Sequence, residues 1–188
     1  MALEIERKFL LASEAWRSGA GTGVRLKQGY LSSGAATAPV RVRIAGEAAF
    51  LTINSQASGL IRSEFEYPVP LADAERMLDT LTTGSAVEKI RYTFPAGGEL
   101  VWEIDEYLGA NAGLFTAEIE LPSADVPFER PEWLGNEITG DYRYANSALS
   151  EKPFSRVVSS VRPRSTIMRP EALPSLSISP LQCPDSSS

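Results

Sequence analysis

The sequence predicts an α+β fold that is mostly β, with about eight antiparallel strands and a few flanking helices. Most of the chain consists of short segments in which polar and apolar side chains alternate, as they do along half-buried strands. The connections between these segments are mostly short, which favours antiparallel hairpins. One further segment, 70–81, spaces its apolar residues as a helix does.

Each predicted strand is bounded by turn residues such as Gly, Pro, Asn or Ser. In chain order, the predicted strands are Ala2–Leu11, Val24–Ser32, Val40–Ile44, Ala49–Ser55, Leu60–Val69, Ala86–Phe94, Leu100–Tyr107 and Leu114–Leu121. A short helical turn after Ser13 separates the first two strands, and the Gly19–Gly23 run ends it. Pro95–Gly98 is predicted to form a hairpin turn.

Two longer helices are predicted, and the clearer one is Pro70–Leu81. Its apolar side chains share one face, which consists of Leu71, Ala74, Leu78 and Leu81 with Met77 beside them. A final helix, Tyr142–Lys152, can be capped by Asp141. The segment Pro122–Pro131 is rich in proline and acidic residues, so we expect it to be irregular.

The chain has 188 residues, enough for one domain with a sizeable core. From about Arg156 onward Ser and Pro dominate, so we predict a single domain over residues 1–155 and a disordered tail over 156–188. The N-terminus has no apolar run behind a basic start, and no segment approaches the ~20 apolar residues of a membrane span. We therefore expect a cytoplasmic protein without membrane contact.

Composition limits the chemistry that this protein can perform. The formal net charge is -6, and nucleic-acid-binding proteins are more often basic. The sequence has no histidine, which removes the commonest general base and transition-metal ligand. Its one cysteine, Cys183, lies near the C-terminus, so the predicted domain can form neither a disulfide nor a zinc cluster. A metal would therefore be bound by carboxylates, which suits Mg²⁺ or Mn²⁺.

Like charges recur two residues apart along the predicted strands, where this spacing places them on one face. The basic pairs are Arg25/Lys27, Arg41/Arg43 and Lys89/Arg91. The acidic pairs are Glu4/Glu6 (followed by Lys8), Glu64/Glu66, Glu103/Asp105 and Glu118/Glu120. A single strand of this kind is commonly explained by a solvated face, but so many pairs sorted by sign need a further reason.

The pattern of these pairs is compatible with two interpretations. The charged faces are either ordinary solvent-exposed faces or the inner faces of an inverted barrel that binds a polyanion together with a metal. An inverted barrel is costly unless its charges are paired or solvated. For Arg25 and Lys27 we favour a surface position, and Glu103 and Asp105 either ligate metal or balance neighbouring bases.

A series of motifs resembles the CYTH superfamily, the triphosphate tunnel metalloenzymes, and most closely its short bacterial single-domain members. The first motif is Glu4-Ile5-Glu6-Arg7-Lys8, which matches the Glu-x-Glu-x-Lys signature of that superfamily. The others follow in order: Gln28-Gly29-Tyr30-Leu31, Arg41-Val42-Arg43, Phe50-Leu51-Thr52-Ile53, Glu64-Phe65-Glu66-Tyr67, Val87-Glu88-Lys89-Ile90-Arg91-Tyr92, Trp102-Glu103-Ile104-Asp105, Ala117-Glu118-Ile119-Glu120 and Asn146-Ser147-Ala148-Leu149.

The resemblance implies an eight-stranded antiparallel closed β-barrel whose charged lumen hydrolyses triphosphates with Mg²⁺ or Mn²⁺. The metal ligands that it implies are Glu4, Glu6, Glu118 and Glu120, with Glu64 and Glu66 for a second metal or for water. The implied phosphate-binding residues are Lys8, Arg41, Arg43, Asn54, Lys89 and Arg91. The implied catalytic residues are Lys8, Tyr30 and Lys89. None of these roles requires a histidine.

The chain departs from the family at Asn54, where lysine is usual, and one phosphate contact is thereby weakened. The expected substrate is inorganic triphosphate. The alternatives are a class IV-type adenylyl cyclase or a thiamine triphosphatase, which act on other triphosphates such as ATP. Further alternatives are a polyphosphate-binding module without turnover and a barrel with purely structural ion pairs. A homodimer is left open.

Overall fold

The computed structural model describes residues 2–32, 38–54 and 61–154, with the backbone alone for 2–4 and 61–62. The strands in these ranges are β1 Ala2–Leu11, β2 Val24–Tyr30, β3 Val40–Ala45, β4 Ala48–Asn54, β5 Ile61–Pro68, β6 Val87–Gly97, β7 Leu100–Tyr107, β8 Phe115–Glu120 and β9 Leu134–Glu137. The helices are α1 Leu71–Thr80 and α2 Asn146–Glu151. The mostly β prediction is confirmed.

All strands belong to one antiparallel sheet of nine strands in the order β5-β4-β3-β2-β6-β7-β8-β1-β9. The long strand β1 contacts three partners along its length. Its start pairs with β5, from Ala2 opposite Glu64 to Ile5 opposite Ile61. Its middle pairs with β8, and its last residues pair with β9. This strand therefore carries the first charged motif into the centre of the assembly.

The predicted count of eight strands is wrong, because β9 was not predicted. This strand has four residues, including Gly135 and Asn136, so it lacks the alternation and the β-branched residues that indicate a strand. It forms because its backbone comes very close to β1. A Cβ atom on Gly135 would lie 2.8 Å from the carbonyl oxygen of Leu10, so this position requires glycine.

Most other boundaries lie within one or two residues of the prediction, and two elements differ by more. The predicted helix Tyr142–Lys152 is a 3₁₀ turn, Tyr142–Tyr144, followed by α2, because Ala145 between them is extended. Asp141 caps that turn as expected, accepting a hydrogen bond from the Arg143 backbone. Strand β6 continues through the predicted turn to Gly97, and residues 98–99 make the connection to β7.

The apolar face of strands β1, β7 and β8 packs under the irregular segment that leads to β9. Trp102 of β7 is fully buried there. Its ring makes edge-to-face contacts with Phe9, Phe128 and Trp133, at centroid distances of 5.7, 5.6 and 5.7 Å. Aromatic side chains thus fill the core on this side of the sheet, and the charged side chains of the same strands take the opposite face.

Helix α1 covers the apolar face of β3 and β4. Ala74 and Leu78 of the helix are buried against Val42 and Ala49 of the strands. The predicted apolar face of this helix is therefore confirmed for Ala74 and Leu78, with Met77 packed beside them, whereas its end residues Leu71 and Leu81 are exposed. Among the helices of the described ranges, none is long and apolar enough to cross a membrane.

We predict that residues 156–188 are not needed for the fold. Ending the chain after Ser155 should leave the melting temperature nearly unchanged, because it retains Phe154, which packs near Leu149. The backbone of Phe154 also donates a hydrogen bond of 2.9 Å to the Asn111 side chain. A matched chain that ends after Lys152 loses these contacts and should melt earlier. Thermal unfolding followed by circular dichroism measures both, and a marked drop for the longer chain would contradict the prediction.

Candidate active site

A cavity of about 680 Å³ lies against the charged face of the sheet. Among the predicted site residues whose side chains are described, every one except Glu66 lines it. These lining residues are Glu6, Lys8, Tyr30, Arg41, Arg43, Asn54, Glu64, Lys89, Arg91, Glu118 and Glu120. The backbone of Glu4 lies in β1, but its side chain falls outside the described residues. Glu66 contacts the lining residues Arg41 and Arg43 rather than the cavity itself.

Strand register places opposite charges side by side on this face. Lys8 of β1 faces Glu118 of β8, and Arg91 of β6 faces Asp105 of β7. Opposite charges on directly opposed residues stabilise an antiparallel pair, whereas like charges destabilise it. At these two positions the register pairs opposite charges, whereas Glu6 faces Glu120 and Glu103 faces Glu118.

Lys8, Glu118 and Arg91 form the centre of one wall of the cavity. The Lys8 Nζ lies 2.7 Å from Glu118 Oε1, and the Arg91 Nη2 lies 2.9 Å from Glu118 Oε2. Burial is the largest single influence and would lower the pKa of Lys8, but the charge and hydrogen bond of Glu118, together with Tyr107 and Glu6, outweigh it and raise this pKa. Burial would likewise raise the pKa of Glu118, but Lys8 and the neighbouring bases hold it well below its usual range. Both groups are therefore charged at neutral pH.

Lys89 lies deeper in the same wall and is 1% exposed. Its Nζ donates a 2.5 Å hydrogen bond to Asp105. Burial, followed by the positive charge of Arg91, lowers the pKa of Lys89 to about 8, although Asp105 counteracts this shift. A lysine with this pKa can exchange a proton near neutral pH.

Arg41 and Arg43 of β3 form a second wall with the carboxylates of β5. Arg43 donates a 2.7 Å hydrogen bond to Glu66, whereas Arg41 lies 3.8 Å from both Glu64 and Glu66. Burial, and then the charge of Arg41, lowers the pKa of Arg43. Within the described ranges, the buried Nε atoms of both arginines have no hydrogen-bond acceptor. Such unsatisfied buried donors are suited to an anion.

Tyr30 and Asn54 line the cavity as predicted, and each has a polar neighbour that was not among the predicted site residues. The buried Gln28 side chain donates to the Tyr30 hydroxyl at 3.3 Å. Thr52 shares the inner face of β4 with Asn54, and its hydroxyl donates to Glu66 at 2.9 Å. Polar residues at inward positions of a strand were the available signal for Gln28 and Thr52.

Arg25, one member of the basic pair on β2, lies outside the cavity. Its side chain is 70% exposed and bridges Glu88 on the outer face at 2.5 Å. The inner face of β2 is taken instead by Gln28 and Tyr30, which line the cavity. The surface interpretation of Arg25 is thereby confirmed.

The carboxylates of the described residues do not form a cluster of three that could hold a metal ion by itself. Glu118 and Glu66 already form ion pairs, with Lys8 and Arg43 respectively. Glu6 and Glu120, however, are direct cross-strand partners that both line the cavity. Mg²⁺ is commonly held by one or two carboxylates together with substrate phosphates and water. The donor set therefore fits a hard cation that binds together with an anionic substrate.

Comparison with known proteins places this chain in a family. The model of the CYTH domain matches residues 2–151. The chain belongs to the CYTH domain family. This confirms the resemblance carried by the sequence motifs.

Similar proteins of this family share most of the chain. An inorganic triphosphatase of Acetivibrio thermocellus is 42% identical over 82% of this chain and 97% of its own length. An inorganic triphosphatase of Nitrosomonas europaea is 38% identical over 78% of this chain and 96% of its own. The crystal structure of the inorganic triphosphatase NE1496 aligns with a TM-score of 0.59 and 34% identity, covering 80% of this chain and 95% of that one.

Replacing Glu118 should destabilise this CYTH domain, because it leaves the buried Lys8 without its partner. We expect Glu118→Gln to lower the unfolding free energy by about 3–5 kcal/mol, or Tm on the order of 10 °C. Glu120→Gln, on the exposed end of the same strand, is the matched control and should shift Tm far less. The contribution of Glu118 is present above the ordinary glutamate pKa of about 4.3. It is lost as pH falls through the depressed folded-state pKa.

Thermal melts of both variants between pH 3 and pH 7 provide the measurement. The difference in Tm between the parent and Glu118→Gln should be largest near pH 7 and should become smaller as the pH is lowered. A Glu118→Gln protein that melts with the parent across this range would show that the pair contributes nothing.

Proposed function

We propose that this protein hydrolyses inorganic triphosphate in the charged cavity. The observation that carries the proposal is the convergence of buried basic side chains on one cavity whose carboxylates fit a hard cation. The relatives named as inorganic triphosphatases support this choice of substrate. In the reaction, water attacks the terminal phosphorus, the bridging P–O bond breaks, and phosphate and pyrophosphate leave.

Triphosphate binding is proposed to begin on Arg41 and Arg43. Their unsatisfied Nε donors need an acceptor, and a phosphate oxygen accepts charge-assisted hydrogen bonds strongly. Lys8, Lys89 and Arg91 face the same cavity from the other wall. Bases on two walls suit a chain of linked phosphates better than a single anion, because several charges are neutralised along its length.

The proposed metal is Mg²⁺ or Mn²⁺, and it would neutralise phosphate charge when bound. Glu6 and Glu120 would hold it, and Glu4, two residues before Glu6 in β1, is a further proposed ligand. Glu118 can join them once phosphate oxygens take over the donors of Lys8 and Arg91. Glu64 and Glu66 are proposed for a second ion or for orienting water. Phosphate oxygens of the substrate would supply the remaining ligands of such an ion.

Three residues are proposed to act near the bond that breaks. Lys89 has a pKa of about 8, so it can accept a proton from the attacking water near neutral pH. Lys8 is charged and can stabilise the negative charge that develops on the bridging oxygen. Tyr30 lies in the same cavity and can donate its hydroxyl proton to that oxygen or orient it.

We further propose that the sheet closes into a tunnel around this cavity. The strand row runs from β5 at one end to β1, and the additional β1–β5 pairing brings these two strands together. A closed wall would exclude water and strengthen every charge interaction inside. The cytoplasmic location and a homodimer stay predictions, and light scattering of the purified protein tests the second.

Phosphate release from inorganic triphosphate, ATP and thiamine triphosphate tests the function. With Mg²⁺ or Mn²⁺ we expect the largest kcat/KM for inorganic triphosphate, and EDTA should abolish turnover. Glu6→Gln should fold normally but lose most turnover and need more metal, because one ligand charge is removed. Glu14→Gln, on the exposed surface, is its control and should behave as the parent does.

Each other outcome points to an alternative. Cyclic AMP from ATP would identify a cyclase, and preference for thiamine triphosphate would identify that hydrolase. A Tm raised by triphosphate without any phosphate release would identify a binding module. If triphosphate gives no turnover and no Tm shift, the ion pairs have a structural role only. If Glu6→Gln depends on metal as the parent does, the metal assignment is refuted.

Asn54 favours the binding module as the second candidate function. It lines the cavity, and within the described residues its buried Oδ1 has no hydrogen-bond partner. A lysine here would add a charge-assisted contact to a phosphate oxygen. Such a contact is worth on the order of 1.5–3 kcal/mol, which corresponds to roughly tenfold to a hundredfold in kcat/KM.

We therefore expect Asn54→Lys to raise triphosphatase kcat/KM, or to create activity if the parent only binds. Without ligand the variant should melt slightly lower, because the new charge lies near Arg41 and Arg43. Asn54→Met has similar length without charge and should show no gain. Steady-state kinetics and melts with and without triphosphate measure both effects. An unchanged or lower kcat/KM in Asn54→Lys would mean that this position does not limit phosphate binding.

A further inference from the structure

Asp105 lies in β7 at the centre of the charged face, yet it does not reach the cavity. Its side chain is 0% exposed, and it is absent from the described residues that line the cavity. The sequence left two roles open for this carboxylate, a metal ligand or a counter-charge. Its surroundings decide between them.

Both carboxylate oxygens of Asp105 are already bound by bases of β6. Oδ1 accepts a hydrogen bond from Arg91 Nε at 2.7 Å. Oδ2 accepts one from Arg91 Nη2 at 2.7 Å and one from Lys89 Nζ at 2.5 Å. A fully buried carboxylate with both oxygens occupied in this way is poorly placed to ligate a metal ion or to touch substrate.

We propose that Asp105 is a positioning residue that aims Arg91 and Lys89 at the substrate phosphates. This inference rests on the proposed function, because it assigns the phosphates as the target of the two bases. Asp105 acts entirely through these side chains. Its role is thus distinct from the roles of the carboxylates that line the cavity.

The geometry of Arg91 explains how the aiming works. A guanidinium presents two bidentate edges, one formed by Nε with a terminal nitrogen and one formed by the two terminal nitrogens. Asp105 binds the Nε edge. The remaining donors point to Glu103 through Nη1 and to Glu118 through Nη2, and both of these glutamates line the cavity. The second edge of Arg91 is therefore turned toward the place where phosphate would lie.

Lys89 is held in a similar way. Its Nζ lies between Asp105 and the ring of Tyr107, 5.5 Å from the ring centroid. The titratable and charged groups that influence it are Arg91, Asp105, Tyr107, Glu118 and Lys8. Burial and Arg91 together favour the neutral amine, and Asp105 is the nearest group that opposes them. Removing this charge would release the ammonium group and favour its deprotonation.

Asp105→Asn tests the proposal, because it keeps the size of the side chain and removes the charge. We expect kcat/KM for triphosphate to fall on the order of 10- to 100-fold, as is typical when a supporting partner of a site is lost. The half-saturating Mg²⁺ concentration should change far less than KM for triphosphate. Glu106→Gln is the matched control, since it removes a charge from the same strand on the outer side, where Glu106 contacts Arg17, and should leave activity unchanged.

A lysine titration gives a second readout that does not depend on turnover. The chain has four lysines, so the ¹⁵Nζ resonance of Lys89 can be followed in uniformly labelled protein. In Asp105→Asn its pKa should fall by about one unit or more relative to the parent. Asp105→Glu keeps the charge and should restore most of that pKa, while recovering kcat/KM in part.

Several outcomes would overturn the proposal. One is parent-like kcat/KM together with a parent-like Lys89 pKa in Asp105→Asn. Another is a rise in half-saturating Mg²⁺ that exceeds the rise in KM, which would make Asp105 a metal ligand. If Asp105→Asn does not fold, Asp105→Glu tests the proposal instead. Glutamate keeps the charge but moves the carboxylate, so kinetics identical to those of the parent would refute the proposal that Asp105 orients Arg91 and Lys89. If the parent releases no phosphate, the proposed function fails, and the lysine titration still tests Asp105.

Discussion

Ion pairs between side chains of strands β1, β6, β7 and β8 hold the inner face of this sheet together. Lys8 pairs with Glu118, Arg91 bridges Glu118 and Asp105, and Lys89 pairs with Asp105. Removing such groups from water costs several kcal/mol per ion unless each has a partner and a hydrogen bond. Because the register supplies those partners, the sheet can direct charge inward and apolar side chains outward. The cavity exists as a consequence of that inversion.

The outward apolar face explains the elements that surround the sheet. Trp102 packs among Phe9, Phe128 and Trp133, and α1 packs over β3 and β4. These contacts provide the hydrophobic core that a barrel with an apolar interior would carry inside itself. They also fix the strands whose inner residues bear charge, so the geometry of the site depends on packing that never touches it.

The two walls of the cavity differ in how completely their charges are paired, and this difference bears on function. Lys8, Lys89 and Arg91 have close carboxylate partners, whereas Arg41 and Arg43 keep buried Nε atoms without an acceptor in the described structure. A polyanion can accept hydrogen bonds directly from the Nε donors of the second wall. At the first wall it must displace the carboxylates that already bind the bases. When the basic side chains bind phosphate oxygens instead of glutamate oxygens, the glutamates would become available to bind a cation. Fixed charges in this arrangement can support phosphoryl transfer without a histidine, since that chemistry depends mainly on positioning and charge neutralisation.

The sequence alone determined the alternating strands, the amphipathic helix α1 and the family, and nearly all of the site residues that it predicted line the cavity. These features are local, because period two assigns each residue to a face and the motifs follow in order. Tertiary structure decided which face is inside, and therefore that Arg25 lies on the surface while Gln28 takes its place. It also decided that Asp105 is a buried partner of Lys89 and Arg91, whereas Glu118 lines the cavity. Strand β9 likewise depends on close contact between Gly135 and β1. Which side chains lie opposite each other depends on the register between strands that are far apart in the sequence. The pattern of residues within one strand does not determine that register.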